Sequence, residues 1–337
     1  MNKPFSSGFS IVSDALNGIA VFSRRLRVFS TFGAGQHSTK GKAIFALCIV
    51  CFFWGTTWVA SKEGVRYMPP LQLAGIRQSI GGFIYLLYFL YKKAPLPKGR
   101  EWWPVLILSF LNFMLSNTLS TWGVRYVSAG LGSIIGSIFP LWLVVISIFG
   151  SGSTVNKKTA LGLTLGFTGI CVIFYQYLKD FLEPDFRLGI FLLLASTWSW
   201  AAGTLYTKTQ AARFNAYFSL GLQMVIAGPV IYFISVATNN AVAFTQIPWQ
   251  SWAAIGYLVL FGSVIAFAAY LYALQNLPTE QASLYAYINP VVALVTGALF
   301  FGEKLTWVIV AGVLITLYGV RQVNRGAKEV EAPEQTR

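Results

Sequence analysis

The segment FFWGTTWVASKEGVRYMPP, residues 52–70, leaves an apolar run and carries two tryptophans, two threonines and a serine before its first charge. Trp54, Thr57, Trp58 and Ser61 are separated by three or four positions, so a helix would place them on one face. Such a face is costly against lipid, and it should meet protein or a water-filled cavity. The segment therefore predicts a membrane helix with a polar, aromatic face turned toward the protein interior.

The composition of the whole chain agrees with a membrane protein. Of its 337 residues, 55% are hydrophobic and 11% are charged, whereas a soluble domain has about 25% charged residues. A bilayer-spanning helix needs about 20 mostly apolar residues. Ten runs meet this need, near 43–61, 71–91, 103–122, 127–149, 159–177, 188–207, 214–236, 250–274, 281–301 and 305–321. We therefore predict an all-α polytopic membrane protein with ten transmembrane helices.

The distribution of Lys and Arg predicts the orientation of these helices. With the N-terminus in the cytoplasm, 18 of the 25 Lys and Arg residues fall on the cytoplasmic side and 6 fall outside. The asymmetry follows the positive-inside rule, so we expect a multi-pass protein of the cell inner membrane with both termini cytoplasmic. The net charge of +14 then reflects topology. Nucleic acid is not an expected partner, because the aromatic residues lie in the bilayer rather than on a basic soluble face.

Two tails flank the apolar runs. Residues 1–42 mix apolar residues with Arg24, Arg25 and Arg27, which suits a cytoplasmic amphipathic helix, an organelle transit peptide or a disordered extension. Residues 323–337 end in KEVEAPEQTR and are expected to form a solvated cytoplasmic tail.

Residues that could support catalysis or metal binding are scarce. The one histidine, His37, precedes the first run, and the three cysteines lie inside runs. Cys48 and Cys51 have CxxC spacing, but no basic residue in that apolar helix would lower a thiol pKa, so we interpret them as small hydrophobic residues. We therefore expect no catalytic residue, no metal and no cofactor.

An internal repeat divides the runs into two sets of five. At a shift of 150 residues, the third to fifth runs match the eighth to tenth through Trp102 and Trp252, Ser133 and Ser283, Pro140 and Pro290, Gly162 and Gly312, and Gly169 and Gly319. At a shift of 146, the first two runs match the sixth and seventh through Trp54 and Trp200, Lys62 and Lys208, and Gly82 and Gly228. Because five is odd, the second set should cross the membrane in the opposite sense. Inverted repeats of this kind are typical of transporters with a substrate site near the midplane.

Two segments carry a resemblance to a known family. FWGTTWVASKEGVRYMPPLQLAGIRQSI, residues 53–80, resembles the opening of EamA-type members of the drug/metabolite transporter superfamily, and FGEKLTWVIVAGVLITLYGV, residues 301–320, resembles their closing segment. The resemblance covers roughly residues 43–322. It implies two inverted five-helix repeats, which we place at 43–178 and 187–322, and efflux of small metabolites such as amino acids. Substrate does not follow from family membership.

Polar and aromatic residues within the runs are the candidates for a substrate cavity, because each would project a hydroxyl, amide or ring from an otherwise apolar helix. The candidates are Trp54, Thr57, Trp58, Asn112, Ser133, Ser137, Trp200, Thr204, Tyr287 and Asn289. The alternative is that small-residue rows only allow close helix packing and that the indoles fill space. If the two sets of helices are symmetric, Trp54 and Trp200 should lie on opposite walls of one cavity.

Two prolines are candidates for shaping that cavity. Pro140 and Pro290 occupy equivalent positions in the repeat, and each should kink its helix there, because proline lacks a backbone N–H. The glycine rows of the fifth and tenth runs are interpreted instead as packing surfaces.

Arg77 is the one charge well inside an apolar run, and an intramembrane charge is a functional candidate by default. It could bind a substrate carboxylate, extend outward to the interface or pair with Glu63. We favour a structural role, because the family pattern has an arginine here whatever the substrate. No carboxylate lies at mid-membrane, so coupling to protons is absent or uses Glu63 or Glu280 near helix ends.

The resulting interpretation is a non-enzymatic exporter of small metabolites that works by alternating access, with a small-molecule substrate and the lipid bilayer as partners. An exchanger of nucleotide sugars or sugar phosphates is the main alternative and would need several cations facing the cavity. A membrane-embedded enzyme such as an acyltransferase would need a His, Asp or Ser–His constellation. A scaffold or receptor would leave the repeat unexplained. The sequence is compatible with a monomer and with a homodimer.

Overall fold

The computed structural model describes residues 36–151, 157–210, 215–277 and 285–331, and within these ranges every regular element is helical. Ten helical segments follow one another, and we number them in chain order. They are α1 Gln36–Tyr67, α2 Pro70–Tyr91, α3 Gly99–Gly123, α4 in two pieces Ala129–Gly136 and Phe139–Ser151, α5 Lys157–Tyr175, α6 Pro184–Gln210, α7 Ala216–Ala237, α8 Trp249–Asn276, α9 Tyr285–Phe301 and α10 Trp307–Glu331.

Eight of the described helices are long and apolar enough to cross a membrane, namely α1 to α8. The apolar parts of α9 and α10, Tyr285–Phe301 and Trp307–Val323, are shorter. The prediction of an all-helical, multi-pass membrane protein is therefore confirmed, while a count of ten crossings remains a prediction. Large apolar side chains such as Phe233 and Leu299 are exposed on the outside of the bundle, where a bilayer would cover them.

Glycine rows bring two pairs of helices into close contact. Gly162 and Gly169 of α5 lie against Gly312 and Gly319 of α10, where an added methyl group would meet backbone atoms of the facing helix. Gly82 of α2 lies in the same way against the backbone of α7. Small residues allow such close approach in membranes, where lipid tails give no hydrophobic drive for helices to associate. The packing interpretation of the fifth and tenth runs is thus supported by direct contact.

The helix contacts are reciprocal between the two halves of the chain. The pairs α2–α7, α4–α9 and α5–α10 join helices that the sequence repeat makes equivalent. α1 packs against α8 and α9, and α6 packs against their equivalents, α3 and α4. The halves therefore form one interlocked bundle rather than two separate domains.

Two stretches interrupt the α-helical hydrogen bonding at equivalent places. Ser109–Asn117 in α3 and Leu258–Ala266 in α8 are π-helical and begin 149 residues apart. In a π-helix each N–H bonds to the carbonyl five residues back, so the turn is wider and side-chain directions shift relative to an α-helix. Such stretches are frequently found at functional sites. We call Ser109–Asn117 and Leu258–Ala266 the first and second π segments.

The helix that Pro140 is predicted to kink is interrupted in the turn just before this proline, and a role of Pro140 in transport stays a prediction. α4 stops at Gly136, passes through Ser137 and Ile138, and starts again at Phe139. Pro140 is the second residue of this new piece, where a missing N–H costs no helical hydrogen bond. Pro290 does lie inside its helix, α9. The repeat therefore places a break in one half opposite an internal proline in the other.

Several sequence-based expectations concern residues outside the described ranges. These are the structure of most of the N-terminal extension and of the end of the C-terminal tail, and the roles of Glu280 and Ser283. The side chains of His37 and Lys208 are likewise outside the described part of the chain.

Candidate functional site

A cavity of about 150 Å³ lies where α1, α2, α3, α4, α6, α8 and α9 meet. Hydroxyl, amide and aromatic groups dominate its wall, and Arg77 is the charged residue on it. The lining residues are Trp54, Thr57, Trp58, Ser61, Arg77, Ser116, Asn117, Ser120, Thr121, Ser133, Gly136, Ser137, Phe139, Ser196, Thr197, Trp200, Phe267, Tyr285, Ala286 and Asn289.

Most of the residues singled out in the sequence come together on this wall. Seven of the ten cavity candidates line it, and so does Arg77; the seven are Trp54, Thr57, Trp58, Ser133, Ser137, Trp200 and Asn289. The whole polar face read from residues 52–70, including Ser61, points into the cavity. Their role in binding substrate stays a prediction.

Three candidates lie elsewhere. Asn112 is buried in the first π segment, where its Nδ2 donates to Oε1 of Gln223 at 3.3 Å. The hydroxyl of Thr204 donates to the carbonyl of Trp200 in its own helix at 2.8 Å. Tyr287 packs against the apolar cluster that contains Leu131, because it lies on the side of α9 opposite the lining residue Tyr285. Pro140 and Pro290 are not lining residues of the cavity either.

The sequence reading missed a row of polar residues on α3. Ser116, Asn117, Ser120 and Thr121 line the cavity as two adjacent pairs, four residues apart along the helix. A helical spacing of hydroxyl groups in the third run was the available signal. Ser196 on α6 also lines the cavity, and its Oγ donates to the carbonyl of Ser116 at 2.8 Å. Helices of the two halves are thus joined by a hydrogen bond at the wall itself.

An aromatic layer closes one side of the cavity. The indole of Trp54 contacts the rings of Trp200, Phe267, Tyr270 and Tyr285, with centroid distances of 6.1, 5.0, 5.0 and 5.2 Å. Edge-to-face and tilted pairs at these separations are favourable. Beyond the layer, the buried cluster that includes Ala43, Leu47 and Val50 fills the space beside the N-terminal half of α1. We call Trp54, Phe139, Trp200, Phe267, Tyr270 and Tyr285 the aromatic layer.

The expectation that Trp54 and Trp200 face each other across a cavity is wrong. Their rings are in edge-to-face contact at 6.1 Å, so no solute fits between them. Both tryptophans are long side chains and lie close to the place where the two halves meet. Because they occupy equivalent positions there, their rings touch each other. Trp54 Nε1 donates to the carbonyl of Gly262 at 3.3 Å, and Trp200 Nε1 donates to the hydroxyl of Tyr285 at 3.4 Å.

Trp58 owes its position to the small residues of α4. A methyl group on Gly132 would lie 3.0 Å from the indole, and one on Gly136 would lie 2.8 Å from it. The glycine row of α4 therefore makes room for a ring, rather than for a helix backbone. The glycines of α4 thus differ from Gly162 and Gly169 of α5, which pack against the backbone of α10.

Arg77 is held against the second π segment. Its side chain is 5% exposed, and its Nε donates to Ser263 Oγ at 3.0 Å. Gly262 leaves space for the guanidinium, since a methyl group there would lie 3.0 Å from Nη2. Glu63 instead forms an ion pair with Arg66 at 3.7 Å. Both the outward extension of Arg77 and its pairing with Glu63 are therefore wrong.

The equivalent of Arg77 in the other half is Gln223, at the shift of 146 residues that relates Trp54 to Trp200. Gln223 is also buried, and it contacts the first π segment: its Oε1 accepts from Asn112 Nδ2, and its Nε2 donates to Ser219 Oγ at 3.0 Å. Its amide is thus satisfied at both ends. The sequence reading did not pair these two residues.

Lys62 and Glu303 fasten the turn between α3 and α4. Lys62 Nζ donates to the carbonyls of Val124, Arg125 and Val127 at 3.0, 3.0 and 2.8 Å, at the end of α3. The carboxylate of Glu303 accepts from the N–H groups of Ala129 and Gly130 at 2.6 and 3.0 Å, at the start of α4. A cation at a helix C-terminus and an anion at an N-terminus are both favoured by the helix dipole.

Comparison with known proteins identifies relatives along most of the chain. The model of the EamA-like transporter family matches twice, over residues 41–175 and 187–325. An uncharacterized transporter of Bacillus subtilis, YvbV, is 29% identical over 87% of this chain and 95% of its own length. An uncharacterized inner membrane transporter of Escherichia coli, YedA, is 30% identical over 82% of this chain and 90% of its own length. A crystal structure with 15% identity has the same fold at a TM-score of 0.62, covering 86% of this chain and 98% of that one.

Proposed function

Because the chain belongs to the EamA-like transporter family and is a membrane transporter, we propose that it exports small metabolites, such as amino acids or related compounds, by alternating access. The observation that carries the proposal is the cavity enclosed by helices of both halves and lined by polar and aromatic side chains. Pockets that bind small molecules usually combine apolar walls with a few placed polar groups.

Three findings support two inverted repeats at 43–178 and 187–322. The family model matches once in each half, the helix contacts are reciprocal, and the two π segments begin 149 residues apart. With five crossings in each half, the second half crosses in the opposite sense. Equivalent helices then alternate in opening and closing the two ends of a central path, as in other transporters built this way.

The proposed orientation is supported by the distribution of charge. The excess of Lys and Arg in the cytoplasmic segments favours both termini in the cytoplasm, and one relative is named as an inner membrane transporter. In this orientation the aromatic layer, which adjoins the N-terminal half of α1, closes the cytoplasmic side of the cavity. The side bearing Ser61, Ser120 and Thr121 then faces outward. Access from the cytoplasm requires the rings of the aromatic layer to separate.

The alternative exchanger of nucleotide sugars or sugar phosphates finds less support. Arg77 is the charged residue on the cavity wall, and Lys62 Nζ is occupied by three carbonyls. The volume of about 150 Å³ is below the roughly 300–1,000 Å³ typical of pockets for drug-sized ligands. Both features favour a small solute.

The test is metabolite profiling of cells and medium with and without overexpression of the chain. We expect a small set of metabolites to become enriched in the medium. A variant with the cavity filled, Ser120→Trp, should abolish the enrichment, whereas Phe233→Trp on the outer surface of α7 should keep it. No change in any metabolite, or enrichment that survives Ser120→Trp, would contradict the proposal.

A further inference from the structure

We propose that Arg77 is an anion-binding residue of the cavity and that the transported solute carries a single carboxylate which pairs with it. The inference rests on the proposed transport function and names its substrate class. It replaces the structural role that the sequence favoured.

The first observation is that Arg77 is a buried charge without a carboxylate partner. No acidic side chain among the described residues lies within ion-pair distance of its guanidinium, and its one hydrogen bond goes to a neutral hydroxyl, Ser263 Oγ. A guanidinium has five N–H donors. Removing such a charge from water is expensive unless it is paired and hydrogen-bonded. Arg77 thus presents unused donors to the cavity that it lines.

The second observation is that packing alone does not require a cation at this place. Gln223 occupies the equivalent position in the other half, contacts the equivalent π segment and is satisfied by Asn112 and Ser219. A neutral amide is therefore compatible with this helix packing. Position 77 borders the cavity and carries a charge, whereas its equivalent, position 223, is not a lining residue and carries a neutral amide.

The third observation concerns the rest of the wall. Among the described residues, no acidic side chain lines the cavity, and the lining side chains other than Arg77 are neutral. One fixed positive charge matches one negative charge, and a guanidinium binds a carboxylate through two parallel hydrogen bonds. A phosphate group would need a second cation, and Lys62 is occupied at the α3–α4 turn. The uncharged body of the solute would lie against the indole of Trp58 and the hydroxyl row of α3.

The experiment measures ligand-induced thermal stabilisation of the purified full chain in lipid nanodiscs. The probes are acetate, propanoate, benzoate, glycine, phenylalanine and tryptophan, each tested beside its primary amide. Ligands that bind the folded state raise its unfolding temperature by mass action. We expect at least one acid to stabilise the wild-type protein while its amide does not.

The variant Arg77→Gln copies the residue found at the equivalent position. The dissociation constant of the acid should rise roughly 10- to 100-fold, as expected for the loss of a charge-assisted hydrogen bond. The matched control Arg187→Gln, an exposed arginine at the start of α6, should leave it unchanged. Equal stabilisation by acids and amides, an unaltered response of Arg77→Gln, or no response to any acid would overturn the assignment.

If Arg77→Gln does not fold, Arg77→Lys replaces it. A lysine keeps the charge but not the planar fork of donors. The preference for acids over amides should then persist at a lower affinity, and a lost preference or an unchanged affinity would overturn the assignment.

Transport assays separate this inference from the proposed function. Vesicles containing the protein should move the acids that stabilise it. Arg77-dependent binding without any transport would contradict the proposed function but support the anion site. Transport of uncharged amides that is unaffected by Arg77→Gln would support the proposed function but contradict the anion site.

Discussion

The two π segments show the same backbone feature serving different chemistry. The first, Ser109–Asn117, is bordered by neutral groups: Ser199 Oγ donates to the carbonyl of Leu111 at 2.7 Å, and Gln223 is satisfied by an amide and a hydroxyl. The second, Leu258–Ala266, receives the guanidinium of Arg77 and the indole N–H of Trp54. The repeat therefore conserves the shape of the bundle, while its departures from symmetry supply the charge in the cavity.

Two pairs of equivalent residues, one identical and one different, have different places relative to the cavity. Trp54 and Trp200 are equivalent and identical, and they meet each other directly. Arg77 and Gln223 are equivalent and different, and only Arg77 lines the cavity. The matching residues Trp54 and Trp200 contact each other, and the charge on the cavity wall comes from the unmatched pair Arg77 and Gln223.

The largest loss of folding stability is expected when an arginine is placed at position 223, the equivalent of position 77 in the second half. Gln223→Arg would bury a cation among Asn112, Ser109 and Ser219, without the cavity that Arg77 borders. Leaving a buried charge unpaired costs about 3–5 kcal/mol. Thermal unfolding followed by size-exclusion chromatography should show a large loss of folded protein. Arg77→Gln should lose little stability, and a stable Gln223→Arg variant would contradict the expectation that position 223 does not tolerate a buried cation.

A smaller loss of folding stability is expected when the space that Gly262 leaves for the guanidinium of Arg77 is filled. Gly262→Ala would place a methyl group 2.9 Å from Thr57 Cγ2 and 3.0 Å from Arg77 Nη2. Overpacking of this kind typically costs about 1–3 kcal/mol. The matched control is Gly256→Ala on the same helix, where a methyl group meets nothing within 4 Å. Equal unfolding temperatures for the two variants would show that the guanidinium is not confined by Gly262.

The smallest effect concerns the indole N–H groups of the aromatic layer. Trp54→Phe and Trp200→Phe keep a ring but remove the hydrogen bonds to the Gly262 carbonyl and the Tyr285 hydroxyl. Each loss should cost about 0.5–1.5 kcal/mol, a typical value for one hydrogen bond. The two variants should behave alike, because the rings occupy equivalent places. A several-fold larger loss at one site would show that the layer is not symmetric.

Sequence reasoning predicted the helical membrane fold and much of the cavity wall, because both follow from hydrophobicity and helical period. The spacing of Trp54, Thr57, Trp58 and Ser61 indicated a face that the structure turns into the cavity. Asn112 shows where this reasoning ends. It lies in the first π segment, where the wider turn redirects side chains in a way that a period of 3.6 residues does not describe.

Two other features depended on three-dimensional distances. Contact between Trp54 and Trp200 follows from how close each lies to the meeting point of the halves, which spacing along the chain does not encode. The significance of Arg77 comes from the lack of a carboxylate beside it among the described residues, and this is a property of its neighbours in space.

Proteoliposomes show whether the cavity is the transport path of a small solute. Vesicles containing purified protein are loaded with a mixture of small carboxylates and their amides, and release is measured by mass spectrometry against protein-free vesicles. We expect the wild-type protein and Phe233→Trp to release a subset of carboxylates, and Ser120→Trp, which fills the cavity, to release none. Release by wild-type protein no faster than from empty vesicles, or undiminished release by Ser120→Trp, would contradict this expectation.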